Sequence, residues 1–196
     1  ANPGIPLNVD RNRRGISLGT SLYRWGYRNS PSDGYGRRIS LFAGRALGGS
    51  TAVNGMIWVR PSHADISRCL GQHYLENYDL FDDIENRLAV RFPVGNYFSK
   101  TVFDRFAIDE RFEAVENLNG LADLRFKVGR HGVTCRENGQ RVSAYDAYIM
   151  PVIDNPRLAL FPNTLVDRLR IVGGRIEAVL LGDGRQLKAR KRVILS

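Results

Sequence analysis

The spacing of apolar residues changes along this chain of 196 residues. Residues 1–43 are rich in Gly, Pro, Asn, Ser and Arg and show no sustained period, which predicts mostly loop with short extended pieces. Within residues 78–90 the apolar positions recur every three or four residues, and they are Leu80, Phe81, Ile84, Leu88 and Ala89. This spacing predicts an amphipathic helix that begins through Asn77 or Asp79.

The middle of the chain is less regular. Residues 91–119 are ambiguous, but their apolar positions suggest a helix that ends before 117–120; these positions are Phe103, Phe106, Ala107, Phe112 and Val115. Residues 125–134 alternate as a short strand does, and residues 137–139 have the composition of a turn. Residues 141–151 predict a helix that is capped by Ser143 and closes near Pro151.

The last part of the chain follows the period of two that is typical of strands. The strand-like runs are residues 158–161, 164–171, 175–181 and 186–188, and a further strand is predicted at 191–196. Gly173-Gly174 and Asp183-Gly184 are strong hairpin turns. The predicted fold class is therefore mixed α/β (α+β), with a β-meander near the C-terminal end.

A paired glycine, two hydroxyls, an asparagine and a third glycine lie close together within residues 44–61. Gly48 and Gly49 can adopt positive φ and lack a Cβ, so the main chain there can approach a flat or anionic group. Ser50 and Thr51 stand where a helix could begin and where a hydroxyl could cap its free N–H groups. Taken alone, such a run fits an ordinary loop before a helix better than a binding site.

Composition narrows the function classes only in part. An apolar fraction of 43% is enough for a core in one large domain or two small ones. No run approaches the ~18 apolar residues that a membrane span needs, so no membrane segment is predicted. The net charge of +9 could mark a nucleic-acid surface, but the basic residues are mostly dispersed and no nucleic-acid motif accompanies them. We therefore expect no nucleic-acid partner, and the sequence does not indicate a compartment.

The cysteines and histidines do not predict a reactive centre. Cys69 and Cys135 are far apart and have no metal or redox spacing, so we expect free thiols and no metal site. His63, His73 and His131 have no nucleophile or carboxylate at motif spacing, and each is predicted to lie at the surface.

Residues 44–61 resemble the first signature of the glucose-methanol-choline (GMC) family of FAD-dependent alcohol oxidoreductases. The matching positions are Gly44, Arg45, Leu47, Gly48, Gly49, Ser50, Thr51, Val53, Asn54, Trp58 and Pro61. The Trp-Gly-Tyr segment at 25–27 stands at the family's usual distance before the signature, and residues 141–151 resemble the family's Arg-x-Ser-Ala-x-Asp-Ala-Tyr-Leu-x-Pro segment. Cys69 departs from the family pattern, which has an aromatic residue there. Because the match extends over so many positions, it favours a binding site over an ordinary loop.

The resemblance implies part of an FAD-binding Rossmann-like domain and part of a substrate-binding domain. It assigns residues 1–90 and 138–196 to the first and residues 91–137 to the second, as a cap region. The Gly-x-Gly-x-x-Gly turn of the family's first βαβ unit and its distal catalytic His have no counterpart here. We therefore expect an internal fragment that contains no catalytic residue and is inactive alone.

The resemblance also implies FAD as the cofactor and a small-molecule alcohol as the substrate, with hydride transfer to the flavin N5. The residues implied near the pyrophosphate and ribityl chain are Gly48, Gly49 and Ser50. Those implied at the flavin edge are Asn54, Gly55, Met56 and Ile57, and the main chain of Val166 would contact the adenine. The alcohol and the electron acceptor are not indicated. Two alternatives stay open: a non-catalytic remnant or interaction module of the same fold and, with less support, a basic nucleic-acid-binding domain.

Overall fold

The protein consists of two compact units in a computed structural model that describes residues 24–28, 40–93 and 97–195. One unit lies within Ile5–Ile153 and the other within Asp154–Ser196. Helices and strands are both present, so the mixed α/β class is confirmed. The assignment to a Rossmann-like domain without its first βαβ unit stays a prediction, and so does the division into residues 1–90, 91–137 and 138–196.

The first unit alternates short strands with short helices. Its strands are β1 (Arg24–Arg28), β2 (Ser40–Gly44), β3 (Ile57–Trp58), β4 (Val90–Arg91), β5 (Glu113–Asn117), β6 (Lys127–Arg130) and β7 (Gly132–Thr134). Its α-helices are α1 (His63–Cys69), α2 (Leu80–Arg87) and α3 (Tyr97–Ala107). The remaining helical turns are the 3₁₀ segments Gly49–Ala52, Gln72–Asn77 and Met150–Val152 and the π-helical segment Tyr145–Ile149.

A three-stranded antiparallel sheet forms the centre of this unit, with β7 between β3 and β4. Val133 is the register partner of both Ile57 and Arg91. A Cβ at Gly132 would lie 3.1 Å from the carbonyl oxygen of Trp58, so the central strand fits best with glycine there. Two further pairs complete the unit, β1 with β2 antiparallel and β5 with β6 parallel.

The buried core joins α2, β4 and the segment that follows β7. Its buried members are Leu88, Val142 and Ala147, against which Trp58, Ile84, Ala89 and Val90 pack. Full burial of a leucine side chain contributes about 1.5–3 kcal/mol to folding. The apolar positions of the predicted helix at 78–90 therefore serve this core, although α2 is shorter than predicted and a 3₁₀ turn precedes it.

The two helices after the signature begin differently. Ser62 and Asp65 form a capping box at α1, in which Ser62 Oγ accepts from the Asp65 N–H at 3.1 Å and the Asp65 carboxylate accepts from the Ser62 N–H at 3.2 Å. The Ser62 hydroxyl also donates to the Asp65 carboxylate at 2.8 Å, and this bond is the main cause that lowers the pKa of the Asp65 carboxyl. Asp79 does occupy the N-cap of α2, as predicted, but its side chain makes no capping bond.

The helix predicted from Phe103 to Val115 is wrong in its second half. Helix α3 ends at Ala107, and Val115 belongs to β5. Asp109 Oδ1 accepts from the Arg111 N–H at 3.0 Å, which is a local turn that competes with helix continuation. The chain then folds back, so that Phe112 packs edge-on against Phe106 with ring centroids 5.0 Å apart.

The second unit is the predicted meander. Its strands are β8 (Val166–Val172), β9 (Arg175–Leu181) and β10 (Gln186–Leu187), in the sheet order β10-β9-β8. Gly173 and Gly174 have φ of 55° and 75°, and Gly184 has φ of 85°, so both predicted hairpin turns are confirmed. Ala178 and Leu181 on β9 are buried.

Three predicted strands differ in the structure. Residues 158–161 and the described part of 191–196 form no strand, and the run at 125–134 is divided between β6 and β7 at His131. Leu158 instead donates its N–H to the Asn155 carbonyl in a turn. Alternating sequence secures a strand only where a neighbouring strand offers a hydrogen-bonding ladder, and neither of the first two runs pairs with the described meander.

The cysteines are free and the histidines are exposed, as the sequence predicts. Cys69 is exposed, Cys135 is buried, and both are free. The three histidines are exposed, and the His63 ring stacks on Tyr78 with centroids 3.8 Å apart. In the part of the chain that the structure describes, no helix has the length and apolar character of a membrane span, and no cluster of metal-ligating side chains occurs.

The aromatic segment before the signature is only partly described. Trp25 lies in β1, is 37% exposed and carries the Arg45 guanidinium over its ring at 4.8 Å. Tyr23 and residues 29–39 lie outside the described residues.

Candidate functional site

The glycine loop, residues 48–57, begins with a sharp change of chain direction. Gly48 has φ of 89° and precedes the 3₁₀ turn Gly49–Ala52, and Gly49 has φ of 56°. Both φ values lie in the left-handed region that glycine adopts at little cost. The predicted helix at Ser50 and Thr51 is therefore a single 3₁₀ turn.

The base of the loop is closed by a backbone contact that only glycine allows. A Cβ at Gly44 would lie 2.1 Å from the Gly49 carbonyl oxygen and 2.7 Å from the Ser50 nitrogen. The Gly44 N–H donates to Ser50 Oγ at 3.0 Å. Ser50 thus ties the loop to the end of β2, and its predicted role as a cap of its own helix is wrong. A hydroxyl that accepts one bond can still donate its own hydrogen to a ligand.

The far side of the loop is open. Among the residues that the structure describes, none has a heavy atom within 4 Å of a Cβ added to Gly49 or to Gly55. Met56, between that open glycine and β3, has φ of 64°, which is strained for a residue with a long side chain. Two bonds hold this conformation: the Met56 N–H donates to Asn54 Oδ1 at 3.0 Å, and the Met56 carbonyl accepts from the Thr134 N–H at 2.9 Å. Ile57, the last residue of the loop, is 59% exposed.

The closed side of the loop rests on a distant stretch of chain, which we call the supporting segment (residues 141–147). The Arg141 guanidinium donates to the Thr51 carbonyl at 3.0 Å, to Asn54 Oδ1 at 2.7 Å and to the Asn54 carbonyl at 2.7 Å. These partners are 90 and 87 residues away in the sequence. Burial lowers the pKa of Arg141, and the charge of Asp146 opposes that shift.

Two more contacts join the loop to the supporting segment. Thr51 Oγ1 accepts from the Ala144 N–H at 2.9 Å and donates to the Gly48 carbonyl. A Cβ at Gly48 would lie 2.9 Å from Ser143 Oγ, so the two stretches touch there as well.

The supporting segment is itself capped as predicted. The Asp146 carboxylate accepts from the Ser143 N–H at 2.9 Å and from the Ser143 hydroxyl at 2.7 Å, and Ser143 Oγ accepts from the Asp146 N–H at 3.3 Å. The helix that follows is π-helical over Tyr145–Ile149, which differs from the predicted regular helix. A π-helical turn of this kind is rare and occurs often at functional sites.

The end of the signature is held by α2. Trp58 Nε1 donates to Glu85 Oε1 at 2.7 Å, and Arg60 donates to the two Glu85 carboxylate oxygens at 2.9 and 2.7 Å. Asp82 accepts a further bond from Arg60 at the exposed edge of this network. The hydrogen bonding of Arg60 to the Glu85 carboxylate is the main cause that raises the pKa of Arg60 above its usual range. The strand after the loop is therefore fixed by a half-buried ion pair.

The structure brings together seven of the eight residues predicted to bind cofactor, because they all lie in the glycine loop. They are Gly48, Gly49, Ser50, Asn54, Gly55, Met56 and Ile57. Val166 begins β8 in the other unit and is 51% exposed. Cofactor binding by these eight residues stays a prediction. Sequence reasoning missed the roles of Arg141 and Thr51, although both are in matched motifs, because a motif does not show where its side chains are directed.

Comparison with known proteins identifies the family. The family model described as GMC oxidoreductase matches residues 13–196. The chain belongs to the GMC oxidoreductase family. The resemblance noted in the signature and in the supporting segment is thereby confirmed.

Curated relatives agree with this assignment. An oxygen-dependent choline dehydrogenase of Staphylococcus xylosus is 26% identical over 203 residues, which cover 91% of this chain and 36% of the relative. One of Pseudomonas putida (strain KT2440) is 28% identical over 200 residues, which cover 89% of this chain and 35% of the relative. The chain thus spans about a third of the length of the curated relatives it matches.

Solved structures show the same fold at lower identity. A pyridoxine 4-oxidase from "Mesorbium loti" has a TM-score of 0.64 and 18% identity over 85% of this chain and 37% of its own. An FAD-dependent oxidoreductase from Chaetomium thermophilum has a TM-score of 0.66 and 16% identity over 87% of this chain and 35% of its own. These likenesses establish the GMC fold of this chain.

Proposed function

We propose that this chain is the part of a flavin-dependent oxidoreductase that holds FAD through its glycine loop, and that the protein oxidises an alcohol. The observation that carries the proposal is that the glycine loop of this GMC family member has one packed side and one open side. One side is packed against the supporting segment, and on the other side a Cβ added to Gly49 or Gly55 would meet no atom of the described residues within 4 Å. A loop that only reversed the chain would not need both features.

The loop fits the chemistry of the cofactor in three respects. Its two open glycines admit a flat or anionic group to the main chain. Ser50 keeps a hydroxyl hydrogen that can be donated to a phosphate or ribityl oxygen. The net charge of +9 is compatible with a ligand that carries two phosphates. We assign Gly48, Gly49 and Ser50 to the pyrophosphate and ribityl side and residues 54–57 to the flavin edge, with the Val166 main chain at the adenine.

The residues of this chain would bind and orient the cofactor, since the chain contains no residue that we assign as a catalytic base. FAD supplies the acceptor for the electrons and hydrogen that leave the alcohol. The strained Met56 and the Asn54 side chain fix the main chain where the flavin edge is proposed to lie. The proton acceptor belongs to the rest of the protein, in the two thirds of the relatives' length that this chain does not span.

The test is flavin binding and reduction by the full protein that carries this chain. We expect a flavin absorbance band that bleaches anaerobically with an alcohol, and choline is the first substrate to try because the curated relatives are choline dehydrogenases. Bleaching by another alcohol alone would retain the function and exclude choline. If the purified protein neither contains nor takes up flavin, the proposal is wrong and a non-catalytic member of the fold remains.

The variant Gly55→Leu tests whether the cofactor binds at the glycine loop. The substitution fills open space at an ordinary φ, so the melting temperature without FAD should stay within a few degrees while FAD affinity falls at least tenfold. Asn86→Leu, which adds the same side chain at an exposed position of α2, is the matched control and should bind FAD normally. Equal FAD binding by both variants would remove Gly55 from the site.

A further inference from the structure

Arg141, in the supporting segment, directs its guanidinium at the glycine loop. Within the described part of the chain, the Arg141 guanidinium donates three hydrogen bonds, and each goes to an acceptor in the glycine loop. Two of those acceptors are the carbonyls of Thr51 and Asn54, at and just beyond the C-terminal end of the 3₁₀ turn Gly49–Ala52. Carbonyls at such an end have no partner within the turn and need one from elsewhere.

The third acceptor links this support to the open side of the loop. Asn54 Oδ1 accepts from Arg141 and also from the Met56 N–H, at 2.7 and 3.0 Å. The same amide oxygen therefore couples the guanidinium to the strained residue beside Gly55. Two hydrogen bonds thus connect Arg141 through Asn54 to Met56. Arg141 itself lies on the closed side of the loop.

We infer that Arg141 is a positioning residue that holds the glycine loop in its ligand-accepting conformation and thereby sets cofactor affinity without touching the cofactor. The inference rests on the proposed function, because it takes FAD as the ligand. A planar guanidinium with five donors can serve three acceptors at fixed angles, which a lysine ammonium cannot reproduce. The Thr51 hydroxyl supports the same geometry through the Ala144 N–H.

The experiment compares Arg141→Gln, Arg141→Lys and the parent in the full protein, each with and without FAD. Arg136→Gln is the matched control, because it removes the same charge from an exposed residue five positions earlier. Hydrogen exchange of residues 48–57 is measured in the FAD-free proteins, and FAD dissociation is followed by flavin fluorescence.

The expected result has three parts. Without FAD, exchange in residues 48–56 is at least tenfold faster in Arg141→Gln than in the parent, while α1, α2 and β4 exchange as before. FAD binds at least tenfold more weakly to Arg141→Gln, and Arg141→Lys falls between the two. Arg136→Gln matches the parent in both measurements. If Arg141→Gln does not fold, Arg141→Lys and Thr51→Val carry the same test.

Three results would overturn the inference, and they are distinguishable. Unchanged loop exchange with weaker FAD binding would make Arg141 a direct ligand of the cofactor. Faster exchange with unchanged FAD affinity would make it a structural residue only. A parent protein that binds no FAD would overturn the proposed function and this inference together. A purely structural role would also lower the melting temperature equally with and without FAD, whereas positioning reduces the increment that FAD adds.

Discussion

Two glycine pairs of this protein have similar sequences and different reasons to be glycine. Gly48-Gly49 opens the glycine loop, and Gly173-Gly174 connects β8 to β9. All four residues have positive φ. A Cβ at Gly48 would lie 2.9 Å from Ser143 Oγ, whereas a Cβ at Gly173 or Gly174 would have no atom of the described chain within 4 Å. The hairpin pair is needed for its backbone angles alone.

The difference extends to what holds each turn in place. The glycine loop is supported by side chains that are about 90 residues distant, chiefly Arg141. The hairpin is supported by the strands on either side of it, with Val172 paired to Arg175. A turn that serves as a ligand site needs such outside support, because its own short hydrogen bonds cannot fix an open conformation.

The largest effect is expected for Gly44→Ala at the base of the glycine loop. The new Cβ would overlap the Gly49 carbonyl oxygen at 2.1 Å, so the backbone must move and the free energy of unfolding should fall by about 3 kcal/mol or more. Urea unfolding measures this loss. Gly182→Ala in the meander is the control, and its loss should be within about 0.5 kcal/mol. Equal losses would remove the distinction between the two regions.

A smaller loss is expected for Glu85→Gln, which weakens the second distant support of the signature. Arg60 and Glu85 side chains are 17% and 20% exposed, and the Glu85 carboxylate also accepts from Trp58. A fully buried pair would cost about 3–5 kcal/mol to break, so we expect about 2 kcal/mol in urea unfolding for this half-buried one. Asp82→Asn, at a carboxylate that is 64% exposed, should change stability by less than about 0.5 kcal/mol. The reverse order of losses would contradict this assignment.

Substitution of a glycine by asparagine distinguishes a need for positive φ from a need for space beside the residue. Asparagine tolerates positive φ, so Gly173→Asn in the hairpin should be within about 0.5 kcal/mol of the parent. Gly48→Asn should cost about 1–2 kcal/mol, because its side chain meets Ser143 and Tyr145. Thermal unfolding of the two variants gives the comparison. A neutral Gly48→Asn would show that the loop, like the hairpin, needs only the angle.

The smallest effect concerns the exposed turn after β9. The Arg185 backbone N–H is the main cause that lowers the pKa of the Asp183 carboxyl, and the Arg185 side chain adds to it. Because the folded pKa is depressed, this contribution to stability is present above the unfolded pKa of about 3.9 and is lost as pH falls through the folded value. Arg185→Gln keeps the backbone bond, so the pKa should rise only part of the way to the ordinary value in a carbon-detected NMR titration. A complete return would assign the depression to the guanidinium.

The parts of the fold that sequence reasoning predicted are those held by neighbours in the chain. The hairpins at 173–174 and 183–184, the Ser143 cap and the amphipathic face of α2 depend on local angles and periods. The parts it missed depend on a partner far away. The runs at 158–161 and 191–195 have strand-like sequences but pair with none of the described strands, and the helix predicted through Val115 yields to a turn at Asp109.

The candidate site divides in the same way. Its seven loop residues could be named from the signature because they are contiguous in sequence, and the family match then confirmed the resemblance. The contacts of their side chains could not be predicted from the signature. Ser50 accepts from the Gly44 N–H instead of capping a helix, and Asn54 Oδ1 accepts from Arg141 and from the Met56 N–H.

The sequence by itself determined the family, the mixed α/β class and the position of the glycine loop, since each depends on residue types at fixed spacing. Only the tertiary structure decided which side of that loop is closed and which is open. That decision depends on Arg141, Ser143 and Ala144 meeting residues about 90 positions earlier. Hydrogen-bond directions and the space around a missing Cβ arise from chain packing, and a linear pattern does not contain them.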